Sequence, residues 1–281
     1  MYEAKTSIEN RPVTSTFTDT IRRGDEMLNY LDVGKGEELV LIHGLGNRIQ
    51  AWAPQLELAS QYRLIIIELR GHGYSPKIED IHVEAFAKDI IEVLDELEIK
   101  KAHFIGLSLG GIVALEICKR FKERVKSLVL CNTTYYIPTI FGNVTLLKTK
   151  QMMEKEPIDH LNDRLIKKCL FNPEEKTVYE LAKNAFYIRE DTYLQSIQSA
   201  FGRNYFYDLL SIDVPTLIIG SREDQVVPIQ NAYMMHYMIK TSNLMIFEQT
   251  GHLSNIEQAE KFNTALIDHI EKYQIIQNKV S

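Results

Sequence analysis

Between Lys101 and Lys122 the chain reads KAHFIGLSLGGIVALEICKRFK, and no other stretch narrows the choice of fold so far. Ala102 to Leu107 is a brief apolar run bounded by lysines, too short for a helix and suited to a strand buried on both faces. Gly106, Ser108 and Gly110 then form the pattern G-x-S-x-G. A chain that turns abruptly from strand into helix has no room for side chains two residues either side of the turn, so glycine there is a steric requirement and the serine is pushed outward. The helix that starts at Leu109 aims its unpaired N–H groups and the positive end of its dipole at any negative charge forming beside Ser108. By itself a serine between glycines suits a plain turn as well as a nucleophile. The strand before it, the helix after it and the partners found further on favour the nucleophile.

Strands and helices alternate on both sides of this turn. Thr14 to Thr20 and Met27 to Val33 alternate apolar and polar residues about the turn Arg23-Gly24-Asp25, which predicts an antiparallel hairpin. Leu39 to Ile42 is a short buried strand that runs straight into His43-Gly44-Leu45-Gly46, a glycine-rich loop at the edge where open α/β sheets bind ligands. Ile49 to Ser60 reads as a helix, Tyr62 to Leu69 as a strand, and His82 to Ile99 as an amphipathic helix. Val125 to Cys131 is another strand. From about Thr133 to Leu210 the alternation gives way to helical sequence scattered with aromatic residues, which reads as an inserted helical cap over positions 133–210. Pro215 to Gly220, Ile229 to Ile239, Leu244 to Phe247 and Ile256 to Ile275 resume the order strand, helix, strand, helix. The predicted architecture is a doubly wound, mostly parallel sheet, with its core in residues 1–132 and 211–281 and one helical insertion.

A serine hydroxyl needs a base within hydrogen-bond reach, and the base needs a third group to orient it. Of the eight histidines, His252 in Gln249-Thr250-Gly251-His252 follows the last strand directly and so shares the sheet edge of Ser108. His103 lies within a strand and His82, His160, His236 and His269 fall on helices or their ends. His43 and His72 precede glycines, where a structural role is expected. The loop Gly220 to Pro228 leaves the preceding strand with two carboxylates, of which Asp224 is the candidate acid and Glu223 the runner-up.

The order Ser108, Asp224, His252, with the loop HGLG upstream and RGHGYS between, resembles the α/β-hydrolase superfamily over nearly the whole chain apart from the N-terminus and the cap. The resemblance implies an eight-stranded sheet with the cap inserted after the sixth strand, and an oxyanion hole made by the backbone N–H groups of Leu45 and Leu109. Glu68 stands where many relatives have aspartate. Some relatives carry their acid after strand six; here that loop reads Cys131-Asn132-Thr133-Thr134, without a carboxylate, which favours Asp224. Serine rather than aspartate at the turn argues against epoxide hydrolases and haloalkane dehalogenases. The segments HGLGNRIQAW, LRGHGYS and SLVLCNTT are similar to 3-oxoadipate enol-lactonases and related small carboxylesterases.

The expected activity is hydrolysis of a small apolar ester or lactone through an acyl-enzyme, with no metal and no cofactor. Carbon-carbon bond hydrolases, cofactor-free haloperoxidases and aminopeptidases share the pattern, and some members of the fold act as ligand receptors or signalling proteins. The net charge of -6 lacks the basic footprint of a nucleic-acid or anionic-membrane partner. Cys118, Cys131 and Cys169 have no metal-ligand spacing, and the N-terminal MYEAKTSIENRPVTS has no apolar signal region, so a cytoplasmic protein is expected. The cap should close an apolar pocket over Ser108 with Leu45, Trp52, Leu109 and cap aromatics as walls, and no long apolar surface for an oil interface is evident.

Overall fold

The computed structural model describes residues 28–76 and 79–280. Seven strands form one sheet: β1 (Tyr30–Gly34), β2 (Glu38–Ile42), β3 (Arg63–Ile67), β4 (Ala102–Leu107), β5 (Val125–Cys131), β6 (Thr216–Ser221) and β7 (Ser242–Phe247). Their order across the sheet is β1-β3-β2-β4-β5-β6-β7, with β1 antiparallel to β3 and every other pair parallel. The expected strand Thr14–Thr20, and with it the hairpin and the eighth strand, lies outside the described residues.

Burial explains why these strands read as continuous apolar runs. In β2, Val40 and Ile42 pack on one face of the sheet while Leu39 and Leu41 pack on the other; Phe104 opposes Ile105 and Leu107 in the same way. Both faces are covered, as a parallel sheet requires. The first face carries α1 (Val83–Glu96), α2 (Leu109–Arg120) and α8 (Gln230–Met238); the second carries α10 (Ala259–Val280) and the segment Ile49–Ser60. That segment forms 3₁₀ turns with a kink at Trp52 and Pro54 inside, not the α-helix expected from its apolar spacing. Proline lacks the N–H that an α-helical ladder needs there. The closing helix is also broken: α9 (Ser254–Glu257) ends at Gln258, and α10 begins at Ala259.

Between β5 and β6 the chain forms five helices: α3 (Thr139–Lys155), α4 (Ile158–Cys169), α5 (Lys176–Ala185), α6 (Tyr193–Ser199) and α7 (Phe206–Leu209). A small apolar cluster of Leu161, Ile188, Tyr193 and Ile197 holds several of them together. Helix α3 leaves Ile140, Phe141, Val144 and Leu147 exposed, an apolar stripe that the sequence conceals because Gly142, Asn143 and Thr145 interrupt it. Among the described residues no helix is long and apolar enough to cross a membrane.

Candidate active site

Ser108 sits between β4 and α2 with φ 55° and ψ -117°, a conformation that a non-glycine residue adopts only when its surroundings force it. The surroundings are visible. A Cβ on Gly110 would lie 2.1 Å from the carbonyl oxygen of Ile42, and one on Gly106 would lie 2.3 Å from that of Gly110. The helix start therefore presses on the end of β2, and the two glycines make that approach possible. The Ser108 backbone is fixed on both sides, its N–H donating to Cys131 O at 2.9 Å and its carbonyl accepting from the Thr133 hydroxyl at 2.6 Å.

The loop after β2 is held by a histidine. Nε2 of His43 accepts the Leu69 N–H at 3.1 Å, so Nδ1 carries the ring proton and donates to Gly44 O at 2.7 Å. Burial, reinforced by the neighbouring His72, lowers its pKa to about 3, which keeps this tautomer neutral. His43 thus has the structural role expected of it. Gly44 lies directly beside Ser108: a Cβ there would meet Ser108 Cβ at 3.3 Å. Leu45 and Leu109 both line the cavity into which Ser108 opens.

His252 follows β7 and Asp224 follows β6. Nδ1 of His252 donates to Oδ2 of Asp224 at 2.8 Å, leaving Nε2 as the ring nitrogen with a free lone pair. Oδ1 of Asp224 accepts the N–H groups of Val226 at 2.8 Å and Val227 at 2.9 Å. Burial opposes the charge on Asp224, yet the charge and hydrogen bond of His252 and these two N–H groups outweigh it and hold the carboxyl below its ordinary value. Glu223 is occupied elsewhere, with Oε2 accepting the Thr250 N–H at 2.9 Å, and so braces the acid loop against the histidine loop.

Two contributors escaped the sequence reading. Asn132, at φ 44°, donates Nδ2 to Ser221 Oγ at 2.8 Å and to Asp224 Oδ2 at 3.0 Å, while its Oδ1 accepts from Ser254 Oγ at 2.7 Å. Its signal in the sequence is an asparagine just past a strand end, a residue that tolerates the left-handed region. Glu257 is the second: it accepts the N–H of Gly251 at 2.9 Å and of Phe171 at 2.7 Å, tying the histidine loop to the chain after α4. The His252 N–H donates to Cys169 O at 2.6 Å in the same seam.

Burial raises the Glu257 carboxyl to about 7 from 4.5, against the pull of those N–H groups. Between these two values the unfolded chain has released a proton that the folded protein still holds. Stability attributable to this group therefore falls as pH rises through that window and is flat above it. Glu257→Gln should remove the slope, so the melting temperature of the wild type relative to the variant should decline from pH 5 to about 7.5. Parallel melting curves across that range would show that the carboxyl does not carry this proton.

A cavity of about 520 Å³ lies between the helices α3, α4 and α6 and the sheet edge, and Ser108 and His252 share it with Phe141, Phe186, Tyr193 and Phe201. Trp52, expected in the wall, is instead fully buried against Phe262, 6.2 Å away between ring centroids, because the 3₁₀ turns point it into the core beneath the sheet. The three cysteines are buried and unpaired, and burial pushes the Cys118 thiol up to about 11 and the Cys169 thiol up to about 12. Among the described residues no three histidine, cysteine, aspartate or glutamate side chains are grouped to hold a metal ion.

A family model described as the alpha/beta hydrolase fold matches residues 38–259. The chain is 31% identical to 3-oxoadipate enol-lactonase 1 of Acinetobacter baylyi over 240 residues, covering 80% of this chain and 85% of that one. It is 28% identical over 258 residues to the 2-hydroxymuconate semialdehyde hydrolase of a Pseudomonas species, covering 86% and 89% of the two chains. A thermophilic esterase from Thermogutta terrifontis superimposes with a TM-score of 0.80 at 23% identity, over 88% of this chain and 93% of the other, a likeness of fold.

Proposed function

The chain belongs to the α/β-hydrolase fold family, and from that membership we propose that it is a serine hydrolase of small carboxylic esters or lactones. One observation carries the reading: a strained serine at a helix start and a histidine already hydrogen-bonded to a buried aspartate face the same cavity. In the proposed mechanism Ser108 Oγ attacks the ester carbonyl while Nε2 of His252 takes its proton. The backbone N–H groups of Leu45 and Leu109 stabilise the oxyanion, aided by the α2 dipole. His252 then protonates the departing oxygen, and the acyl-enzyme is hydrolysed by a water that His252 deprotonates in turn. Asp224 holds the imidazole in the required tautomer throughout.

Helices α3–α7 act as a lid that keeps bulk water and polypeptide chains away from Ser108. Three buried, unpaired cysteines suit a reducing compartment, and we place the activity in the cytoplasm. A fluorophosphonate probe followed by peptide mapping tests the reading. Stoichiometric label on Ser108 is expected, and an unlabelled Ser108 in folded protein would overturn it. A second reading has support from the relatives, since the Pseudomonas protein is named as a hydrolase of 2-hydroxymuconate semialdehyde. Turnover of that compound, with normal labelling of Ser108 but no action on esters or lactones, would move the assignment to carbon-carbon bond cleavage.

The cavity sets a size limit. Each methylene buried in its apolar wall contributes about 0.8 kcal/mol, so kcat/KM for p-nitrophenyl esters should rise roughly fourfold per added carbon from acetate upward. It should pass through a maximum at short to medium acyl length as about 520 Å³ is filled. A small lactone that fits beneath the lid should open at least as fast as its linear analogue. Best turnover on long-chain triglycerides would contradict this size limit.

A further inference from the structure

Tyr193, at the start of α6, lines the cavity with Ser108 and His252. It is only 6% exposed, yet its hydroxyl has no hydrogen-bond partner among the described residues. A buried tyrosine normally finds a partner for that group, and leaving it without one costs the fold. The oxygen is not sealed off, so its free surface faces the cavity that the residue lines. Three threonine hydroxyls of the same cavity are engaged: Thr133 donates to Ser108 O at 2.6 Å, Thr134 to Asn231 Oδ1 at 2.7 Å and Thr145 to Phe141 O at 3.1 Å.

The ring lies across the loop that abuts Ser108. A Cβ on Gly46 would stand 3.0 Å from Cε2 and 3.6 Å from Cδ2 of Tyr193, so the absence of a side chain there makes room for the ring. The nearer carbon is the one beside the hydroxyl-bearing Cζ, and the ring therefore crosses the loop with its hydroxyl end leading. Two residues earlier, a Cβ on Gly44 would meet Ser108 Cβ at 3.3 Å. This pose is held by the Tyr193 N–H, which donates to Arg189 O at 2.9 Å, and by packing with Leu161, Ile188, Ile197 and Leu45. Burial and the nearby Cys169 thiol both push the Tyr193 hydroxyl above its ordinary pKa, so it keeps its proton and acts as a donor. Cys169 also accepts the His252 N–H on its carbonyl at 2.6 Å, which sets the hydroxyl on the His252 side of the cavity.

We propose that Tyr193 is a further catalytic residue whose hydroxyl donates a hydrogen bond to the leaving-group oxygen of the scissile ester. This role rests on the hydrolase reading and adds a donor to its site. The carbonyl oxygen of a bound ester has the N–H groups of Leu45 and Leu109, whereas the oxygen that His252 protonates has no second donor. In acylation the bond from the carbonyl carbon to that oxygen breaks, its electron pair stays on the oxygen, and the proton comes from His252; Tyr193 keeps its own proton throughout. Negative charge grows on the oxygen as the bond breaks, so a hydrogen bond to it is stronger in the transition state than in the bound ester. A more basic oxygen is the stronger acceptor, and the help is greatest for poor leaving groups.

The test compares p-nitrophenyl acetate with phenyl acetate, which share the acyl group and differ in the basicity of the leaving oxygen, each rate corrected for spontaneous hydrolysis. In Tyr193→Phe, kcat/KM should fall by about threefold on the nitrophenyl ester and by about thirtyfold on the phenyl ester. Equal losses on the two esters, or no loss on either, would overturn the role, since a purely structural effect of the hydroxyl does not sense the leaving group. Phenylalanine keeps the ring and breaks no protein hydrogen bond, so the melting temperature should hold within about 3 °C. A marked drop would show that the hydroxyl is bonded within the fold and would overturn the proposal. Turnover by the wild type with equal losses in the variant removes only this role, whereas a wild type that hydrolyses neither ester removes the ester-hydrolase reading and this role with it.

Discussion

Replacing Ser108 with alanine should lower kcat on any ester substrate by roughly 10⁴- to 10⁶-fold while moving the melting temperature by no more than about 3 °C. The hydroxyl contributes no hydrogen bond to the fold that would be lost, because the bonds fixing this turn are made by the Ser108 backbone N–H and carbonyl. Alanine keeps the Cβ that stands against Gly44. It also keeps the strain of φ 55°, which only glycine adopts without cost. Ser108→Gly should therefore be as inactive as the alanine variant and melt a few degrees higher. Comparable turnover by Ser108→Ala, measured on protein free of wild-type contamination, would remove Ser108 as nucleophile.

Asp224→Asn should cost about 10⁴-fold in kcat, whereas Glu223→Gln should stay within about tenfold of the wild type. An asparagine in place of Asp224 offers His252 Nδ1 either a neutral acceptor or a competing donor, and the second arrangement turns the imidazole into the wrong tautomer. Asn132 aggravates the change, since its Nδ2 already donates to the same oxygen at 3.0 Å and would then face a weaker acceptor. Glu223 holds the Thr250 N–H, a bond that a glutamine oxygen can still accept. Steady-state kinetics on one ester decides between them, and a larger loss in Glu223→Gln would reverse the assignment of the acid.

The parts of the site that the sequence revealed are those set by local sterics. Glycines at 106 and 110 announce a turn with no room for side chains, and Asp224 and His252 announce themselves by following strand ends at one edge of the sheet. What escaped depends on partners far along the chain. Asn132 meets Asp224 and Ser254 from other strand ends, 92 and 122 positions away, and Glu257 meets Phe171 at a distance of 86 positions. No periodicity encodes such pairings. Trp52 was misplaced for a different reason: its spacing fits an α-helical face, but Pro54 tightens the segment into 3₁₀ turns and redirects the indole into the core. Helices α3–α7 kept the cavity walls hidden because aromatic residues on short helices serve equally as core or as lining. Phe206 packs against Tyr135 and Tyr207, for example, while Phe201 reaches the cavity.

The seam between helices α3–α7 and the sheet bears on how such an enzyme changes its diet. Helices α3–α7 are fastened at the loop after β2 through Arg48 and Tyr187, and at the His252 loop through the Cys169 carbonyl and Glu257. Transplanting helices α3–α7 whole from a relative would replace the carbonyls of Ala185 and Cys169 and the N–H groups of Phe171 and Tyr187 together, shifting the groups that position Ser108 and His252. Recipients of such grafts would lose turnover on every substrate, old and new alike. Single exchanges at cavity-lining positions such as Ile197 and Phe201, which leave those stitches in place, are the gentler path to a new specificity, for a breeder of enzymes as for natural selection.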